Sequence, residues 1–113
     1  MQHSSRFNEY RVMWIMVLFD MPTQTAVERK QYSKFRKSLL KDGFGMLQYS
    51  IYIRHCMSRE YAQKHMRRIR AYLPRKGEIV LFTLTDRQFG MIEMYSGRDV
   101  SDQPKPGAQL EMF

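Results

Sequence analysis

Residues 12–22 read VMWIMVLFDMP, and this stretch decides the fold. Its first eight residues, 12–19, are all apolar. Such a run is far shorter than the roughly 20 residues that cross a bilayer, but it is typical of a central strand covered on both faces. The Asp20-Met21-Pro22 sequence then ends the strand, since proline cannot donate a ladder hydrogen bond. We therefore expect a sheet with a layer on each side.

A helix is predicted directly after this strand. Thr25 and Glu28 have the spacing of a capping box, in which each side chain accepts a hydrogen bond from a free backbone N–H of the first turn. The helix should run over 26–41 and end at Asp42-Gly43. Its buried face is predicted from apolar residues spaced three and four apart: Tyr32, Phe35 and Leu39.

The rest of the chain predicts four further elements and a short last strand. Residues 44–57 are strand-like, with a bend at 48–50 that divides them into two strands. Ser58 caps a second helix to about Leu73, with an apolar stripe of Ala62, Met66, Ile69 and Leu73 and with His65 at its edge. A strand follows over 78–85, then a turn at 86–89 and a short strand over 91–95.

This order of elements predicts an α+β fold, the ferredoxin-like βαββαβ sandwich with a four-stranded antiparallel sheet plus a short extra C-terminal strand. Both helices cover one sheet face, so the apolar 12–19 strand needs a cover on the other. We expect a second copy to supply it in a sheet-to-sheet homodimer. The predicted organisation is a lead-in at 1–11, the domain at 12–95 and a C-terminal tail at 96–113 that is a possible partner-docking segment.

Composition and charge limit the classes of function that the chain can have. The chain has 113 residues, a net charge of +8, a pI near 9.9 and a single cysteine, which excludes an internal disulfide and a cysteine-cluster zinc site. Residues 28–76 hold 14 Lys/Arg against three acids. With no signal peptide or membrane span visible, we expect a soluble cytoplasmic protein with a polyanionic partner. The alternative is a charge excess that only keeps the protein in solution.

Lys30, Lys34, Lys37 and Lys41 lie four, three and four residues apart and should form one stripe on the first helix. Such lysines usually face solvent. This stripe lacks the acidic partners at i,i+4 that a merely solvated helix often carries, which favours a surface that faces phosphates.

Asp20 is the candidate for chemistry, because it follows directly on an apolar strand where a carboxylate can protrude into a cleft. There it could ligate a hard cation, or it could simply cap the turn. No second carboxylate lies near it in sequence, so a paired site would need two copies of Asp20 across a dimer axis.

The other groups of residues that could form a functional site give little indication of one. His55 and His65 lack the spacing of metal ligands, and His55 and Cys56 should point to opposite faces of a strand. The aromatic residues Phe44, Tyr49 and Tyr52 raise the possibility of an RNA-stacking sheet, but core packing explains them better.

Several motifs together resemble a known family. Residues 17–23 (VLFDMPT), 28–44 (ERKQYSKFRKSLLKDGF), 48–52 (QYSIY) and 76–89 (KGEIVLFTLTDRQF) resemble, in order, the small CRISPR-associated adaptation protein called Cas two. The resemblance covers roughly 12–95 and is greatest to members from systems with a single large effector nuclease.

The resemblance implies a homodimer that works with the Cas one integrase and holds the double-stranded DNA of a prospective spacer before insertion. It also implies Mg²⁺-dependent endonuclease activity on RNA or duplex DNA, with Asp20 as the metal-binding and catalytic residue. A remote alternative is an RNA-cleaving toxin of the same fold. A cationic surface binds a duplex without reading sequence; the residues we expect at the phosphates are Lys30, Lys34, Lys37, Arg75 and Lys76, assisted by Arg29 and Arg36.

Overall fold

The computed structural model describes residues 12–97. Four strands and three helices follow one another along this part of the chain: β1 (Met13–Asp20), α1 (Ala26–Lys41), β2 (Gly45–Gln48), β3 (Ile51–Cys56), α2 (Arg59–Ala71), β4 (Glu78–Thr85) and α3 (Asp86–Gly90). The predicted lead-in 1–11 and the tail beyond residue 97 lie outside the described residues.

The four strands form one antiparallel sheet in the order β2-β3-β1-β4. The apolar strand β1 lies inside the sheet, where it pairs with β3 on one side and with β4 on the other. The α+β class and the four-stranded antiparallel sheet are confirmed, and the arrangement is consistent with a ferredoxin-like fold.

The helix boundaries follow from the predicted caps. The Glu28 backbone amide donates to Thr25 Oγ1 over 3.1 Å, and the Thr25 backbone amide donates to Glu28 Oε1 over 3.0 Å. These two bonds complete the capping box of α1. Beyond the other end of α1, Gly43 takes φ +89°, the left-handed conformation that favours glycine. Ser58 Oγ accepts from the Tyr61 amide and caps α2.

The main core lies between the sheet and the two long helices. Alternate residues of β1 point into it and meet Phe35 and Leu39 of α1 and Ala62 and Ile69 of α2. On α2 the prediction needs correction, because His65 belongs to the buried face with 2% of its surface exposed, whereas Leu73 is exposed. The helix ends at Ala71, before the stripe reaches Leu73.

A second, smaller core covers the other sheet face. Trp14 and Met16 of β1 pack there with Phe89 of α3, and Ile92 and Met94 pack against the same cluster. The Trp14 and Phe89 rings stack with centroids 3.9 Å apart, and Trp14 Nε1 donates to Asp86 Oδ1 over 2.8 Å. The chain therefore folds back over this face.

The segment that folds back over the second sheet face differs from the prediction in two elements. The turn at 86–89 is the short helix α3, capped by Thr85 and Gln88. The predicted strand 91–95 is not present in the described chain, because residues 92 and 94 pack onto the second sheet face instead of pairing with an edge strand.

Within residues 12–97, part of the second sheet face stays uncovered. Val80 and Phe82 of β4 are 52% and 36% exposed, and they lie opposite Leu18 and Met16 of β1. An apolar patch on a regular sheet is the kind of surface that a further layer covers. Across residues 12–97, no helix has both the length and the apolar character needed to cross a membrane.

Candidate nucleic-acid interface and carboxylate pair

The lysine stripe forms on α1 as the spacing predicts. Lys30, Lys34, Lys37 and Lys41 are exposed and line one open surface with a volume of about 580 Å³, together with Gln31, Ser33 and Ser38. Among the residues that the structure describes, no acidic side chain lines this surface. The stripe spans about 16 Å of helix axis, a length over which duplex DNA presents about ten phosphate charges.

Arg75 extends the same basic surface from a different element. A groove of about 590 Å³ runs between α1 and the α2–β4 connection, and it is lined by Lys34 on one side and Arg75 on the other. Lys34 therefore borders both the stripe and this groove. Two cations from separate elements can contact successive phosphates of one backbone.

Lys76 follows Arg75 in the chain and lies beside the N-terminus of α1. With Arg75 it lines a smaller groove of about 300 Å³ that also includes Glu28 and Pro22. Backbone hydrogen bonds from Thr25 and Gln24, with a smaller contribution from the charge of Lys76, lower the pKa of Glu28. Glu28 therefore stays ionised and offsets part of the positive charge at this end of the surface.

Arg29 and Arg36 lie apart from the lysine stripe. Arg29 Nη1 donates to the carbonyl oxygens of Thr23 and Gln24, over 3.2 and 3.0 Å. Arg36 Nε donates to Tyr52 Oη over 2.8 Å. Each guanidinium is thus held in place by the protein. At about 100° per residue, the two arginines lie roughly 120° around the helix from the lysines.

Asp20 is the last residue of β1, and its cross-strand neighbour in the β1–β4 ladder is Glu78, the first residue of β4. Both residues are exposed. Residues directly opposite each other point to the same side of a sheet, so two carboxylates meet on the face that also carries Val80 and Phe82. The sequence alone does not single out Glu78, because the two positions are 58 residues apart and only the antiparallel pairing of the two strand ends brings them together.

Gly77 brings these strand ends together. It has φ +99°, and a Cβ at this position would lie 2.7 Å from the carbonyl oxygen of Asp20. Any other residue would have to push the end of β1 away from the start of β4. Glycine is therefore required for the backbone that sets Asp20 beside Glu78.

The donors at this point suit Mg²⁺, which prefers carboxylate oxygens and retains several waters. Two carboxylates are an incomplete set, and residues 12–97 contain no cluster of three or more His, Cys, Asp or Glu residues placed to hold a metal ion. A second copy facing this sheet could add its own carboxylates. One chain alone therefore fits the metal only in part.

A buried polar cluster ties α2 to the end of α1. Asp42 Oδ1 lies 3.1 Å from His65 Nδ1 and 3.0 Å from Arg68 Nη2, and Tyr72 Oη donates to Asp42 Oδ2 over 3.4 Å. Burial, opposed by the hydrogen bond with Asp42, lowers the pKa of His65. Burial also raises the pKa of Tyr72. Within the described residues His65 Nε2 is buried without a hydrogen-bond partner, which, like the lowered pKa, favours the neutral ring.

Two of the sequence expectations about other side chains are confirmed. His55 pairs with Trp14 on the second sheet face, whereas Cys56 lies in the main core, so the two do not form a dyad. Burial raises the pKa of the Cys56 thiol. Phe44 and Tyr52 are buried as core packing requires.

Core packing is the wrong explanation for Tyr49, which is 77% exposed. It lies in the two-residue turn between β2 and β3, where its neighbour Ser50 has φ +67°. The bend was predicted, but the direction of the tyrosine ring could not be read from the sequence.

Known proteins resemble the chain over most of its length. The sequence profile described as "CRISPR associated protein Cas2" matches residues 13–92. A protein of Flavobacterium psychrophilum named "CRISPR-associated endoribonuclease Cas2" is 53% identical over 112 residues, which are 99% of this chain and 97% of that protein. Proteins with the same name from Parvibaculum lavamentivorans and Streptococcus mutans are 46% and 43% identical, over 89% and 79% of this chain and 100% and 83% of their own lengths.

Proposed function

The chain belongs to the CRISPR-associated protein Cas2 family, and we propose that it is a CRISPR adaptation protein, a dimeric scaffold that binds the duplex DNA of a prospective spacer. The observation that carries the proposal is the lysine surface of α1, which no acid lines within residues 12–97; it is formed by Lys30, Lys34, Lys37 and Lys41 and extended by Arg75. Its charge is presented as a continuous strip along a rigid helix. Such a strip gains affinity for phosphates by releasing counterions and needs no contact with base edges.

The homodimer is part of this proposal. Val80 and Phe82 leave an apolar patch on the second sheet face, and a second copy packed there would remove it from water. A two-fold axis through that face repeats the lysine strip on the far side of the assembly. Two strips give a longer track for a duplex than one helix provides.

The proposed partner in spacer acquisition is the CRISPR integrase, which carries out the joining reaction while this protein holds the DNA. The tail, of which residues 98–113 lie outside the described structure, is its proposed docking segment. The test is integration of a spacer-length duplex by the integrase with either the unaltered protein or the variant Lys30→Gln/Lys34→Gln/Lys37→Gln. The variant should support much less integration, whereas equal integration would contradict a scaffold that acts through this surface.

A second candidate function is a Mg²⁺-dependent endonuclease. The observations that favour it are the facing carboxylates of Asp20 and Glu78 and the word endoribonuclease in the names of the relatives. Bound Mg²⁺ would supply an activated water and neutralise charge on the phosphate under attack. Asp20 and Glu78 would hold the ion, together with their copies from a second chain. The test is cleavage of RNA and of duplex DNA with and without Mg²⁺, compared with Asp20→Asn.

A further inference from the structure

Tyr49 is placed by the protein at the end of the sheet that carries Asp20. The Phe19 amide donates to the carbonyl oxygen of Ser50 over 3.1 Å, which fixes the β2–β3 turn against the last residues of β1. Ser50 itself takes the left-handed conformation, with φ +67°. Non-glycine residues adopt this conformation in tight turns, where the surrounding hydrogen bonds hold it.

The Tyr49 ring is supported from one side. It stacks on Tyr32 of α1, with centroids 6.3 Å apart and planes 23° from parallel. Tyr32 is half-buried, its ring lies 5.6 Å from that of Phe19, and its hydroxyl is 3.5 Å from Ser50 Oγ. Hydrogen bonding with the Tyr32 phenol, the largest influence, raises the pKa of Tyr49, so the ring carries no charge that would repel a phosphate.

Two arginines flank this aromatic pair. Arg29 precedes Tyr32 by three residues and Arg36 follows it by four, so the three share one side of α1. Arg29 is fixed through Nη1 and Arg36 through Nε, and each guanidinium has five N–H donors. Both therefore keep donors for a ligand while their positions are already set.

We propose that Tyr49 stacks on the base of an unpaired nucleotide, while Arg29 and Arg36 contact the phosphates on either side of it. This inference rests on the proposed nucleic-acid function and adds a single-strand site that is separate from the lysine surface. Aromatic rings that alternate with cations are the usual means of binding single strands without sequence preference. The substrate class is single-stranded nucleic acid, either RNA or the unpaired end of a DNA duplex.

The arginines distinguish this site from an ordinary exposed tyrosine. Isolated exposed aromatic residues are common and require no ligand. Tyr49 is backed by the ring of Tyr32. Two guanidinium groups that the protein holds in place lie on the same side of α1 as Tyr32, and such groups bind phosphate in planar, bidentate fashion.

The experiment measures binding of a ten-nucleotide single strand that carries 2-aminopurine, in RNA and DNA versions, to the full-length protein. Stacking on Tyr49 should quench the fluorescence. Tyr49→Ala and Tyr49→Leu should abolish the quenching and weaken binding by about 5- to 100-fold, because one base–aromatic stack is lost. Tyr49→Phe keeps the ring and should behave like the unaltered protein, as should the control Tyr95→Ala at another exposed tyrosine.

The two nucleic-acid versions and a blunt duplex separate this inference from the proposed function. Quenching with both versions indicates a general single-strand site, and quenching with one identifies its substrate. Unquenched binding, no binding of either strand, or equal loss in Tyr49→Ala and Tyr95→Ala would overturn the inference while leaving duplex binding by the lysine surface untouched. Duplex binding by the lysine variant tests the proposed scaffold function and does not bear on the site at Tyr49.

Discussion

Asp20 and Glu78 face each other across the β1–β4 ladder, at the end of the sheet where Gly77 lets the two strand ends meet. Like charges in directly opposed positions of a sheet repel each other. A bound cation would remove this repulsion. In the proposed Mg²⁺ site, binding of the ion would therefore also stabilise the two strand ends.

The first prediction concerns this pair. In metal-free buffer, Glu78→Gln should raise the free energy of unfolding by about 0.2–1 kcal/mol, because one of two facing charges is removed. Millimolar Mg²⁺ should stabilise the unaltered protein and have less effect on Glu78→Gln or Asp20→Asn. Urea unfolding with and without Mg²⁺ measures both effects. Glu93→Gln is the control of equal charge, and the same Mg²⁺ effect in all four proteins would rule out a site at the pair.

The second prediction concerns the lysine surface. Each phosphate contact contributes about 0.9 to the slope of log K against log salt, so Lys30→Gln/Lys34→Gln/Lys37→Gln should reduce the slope for a duplex by about 2 to 3. Fluorescence anisotropy between 50 and 200 mM salt gives this slope. The control Lys64→Gln/Arg67→Gln/Arg70→Gln removes the same charge from the exposed side of α2. An equal reduction in both variants would mean that net charge, not the α1 surface, drives binding.

The third prediction concerns the uncovered sheet face. We expect the unaltered protein to be a dimer at micromolar concentration, and Phe82→Lys, which introduces a charge into the apolar patch, should yield a monomer. Light scattering after size-exclusion chromatography measures the mass. Val27→Lys, at an exposed apolar residue of α1, should leave the dimer intact. A monomeric unaltered protein, or a dimer in both variants, would show that this face does not join two copies.

The fourth prediction concerns pH. Burial lowers the pKa of His65 in the folded protein, so the unfolded chain binds more protons below its ordinary value of 6.5. The stabilising contribution of the neutral ring is complete above that value and is lost as the pH falls from it through the lower pKa of His65 in the folded protein. Stability should therefore drop between pH 7 and pH 5, and less steeply in His65→Gln, whose amide can still donate to Asp42.

The control for this experiment is His55→Gln, which removes an exposed histidine. Its pH profile should follow that of the unaltered protein. Arg54 and Arg68, whose charges also disfavour the protonated ring, are unchanged in both variants. Identical profiles for the two histidine variants would show that His65 does not cause the loss.

Local rules predicted much of the fold from the sequence. The capping box of Thr25 and Glu28 and the glycine after Asp42 determine α1 through contacts within a few residues, so its limits could be read directly. The predictions that are wrong depend on contacts between residues that are far apart in the sequence. The segment 91–95 has the composition of a strand, but its fate depends on the Trp14 and Met16 surface, which exists only after the sheet has formed.

The residues of the candidate site also fall into two groups, those that local spacing predicts and those that only the folded chain brings together. The lysine stripe depends on helical spacing alone, and it was predicted. The pairing of Asp20 with Glu78 depends on sheet register, and the exposure of Tyr49 depends on the conformation of one turn residue, Ser50. His65 was predicted at the edge of the α2 stripe, and it is buried because Asp42, 23 residues away, supplies its hydrogen bond.

The measurement that tests the central claim most directly uses one variant in two assays. Asp20→Ala is compared with the unaltered protein for cleavage of RNA and duplex DNA in Mg²⁺, and for spacer integration with the integrase. A scaffold that acts through its lysine surface predicts that integration is retained by Asp20→Ala, whatever happens to cleavage. Loss of integration in a variant that still folds and dimerises would contradict the scaffold and place the function in chemistry at Asp20.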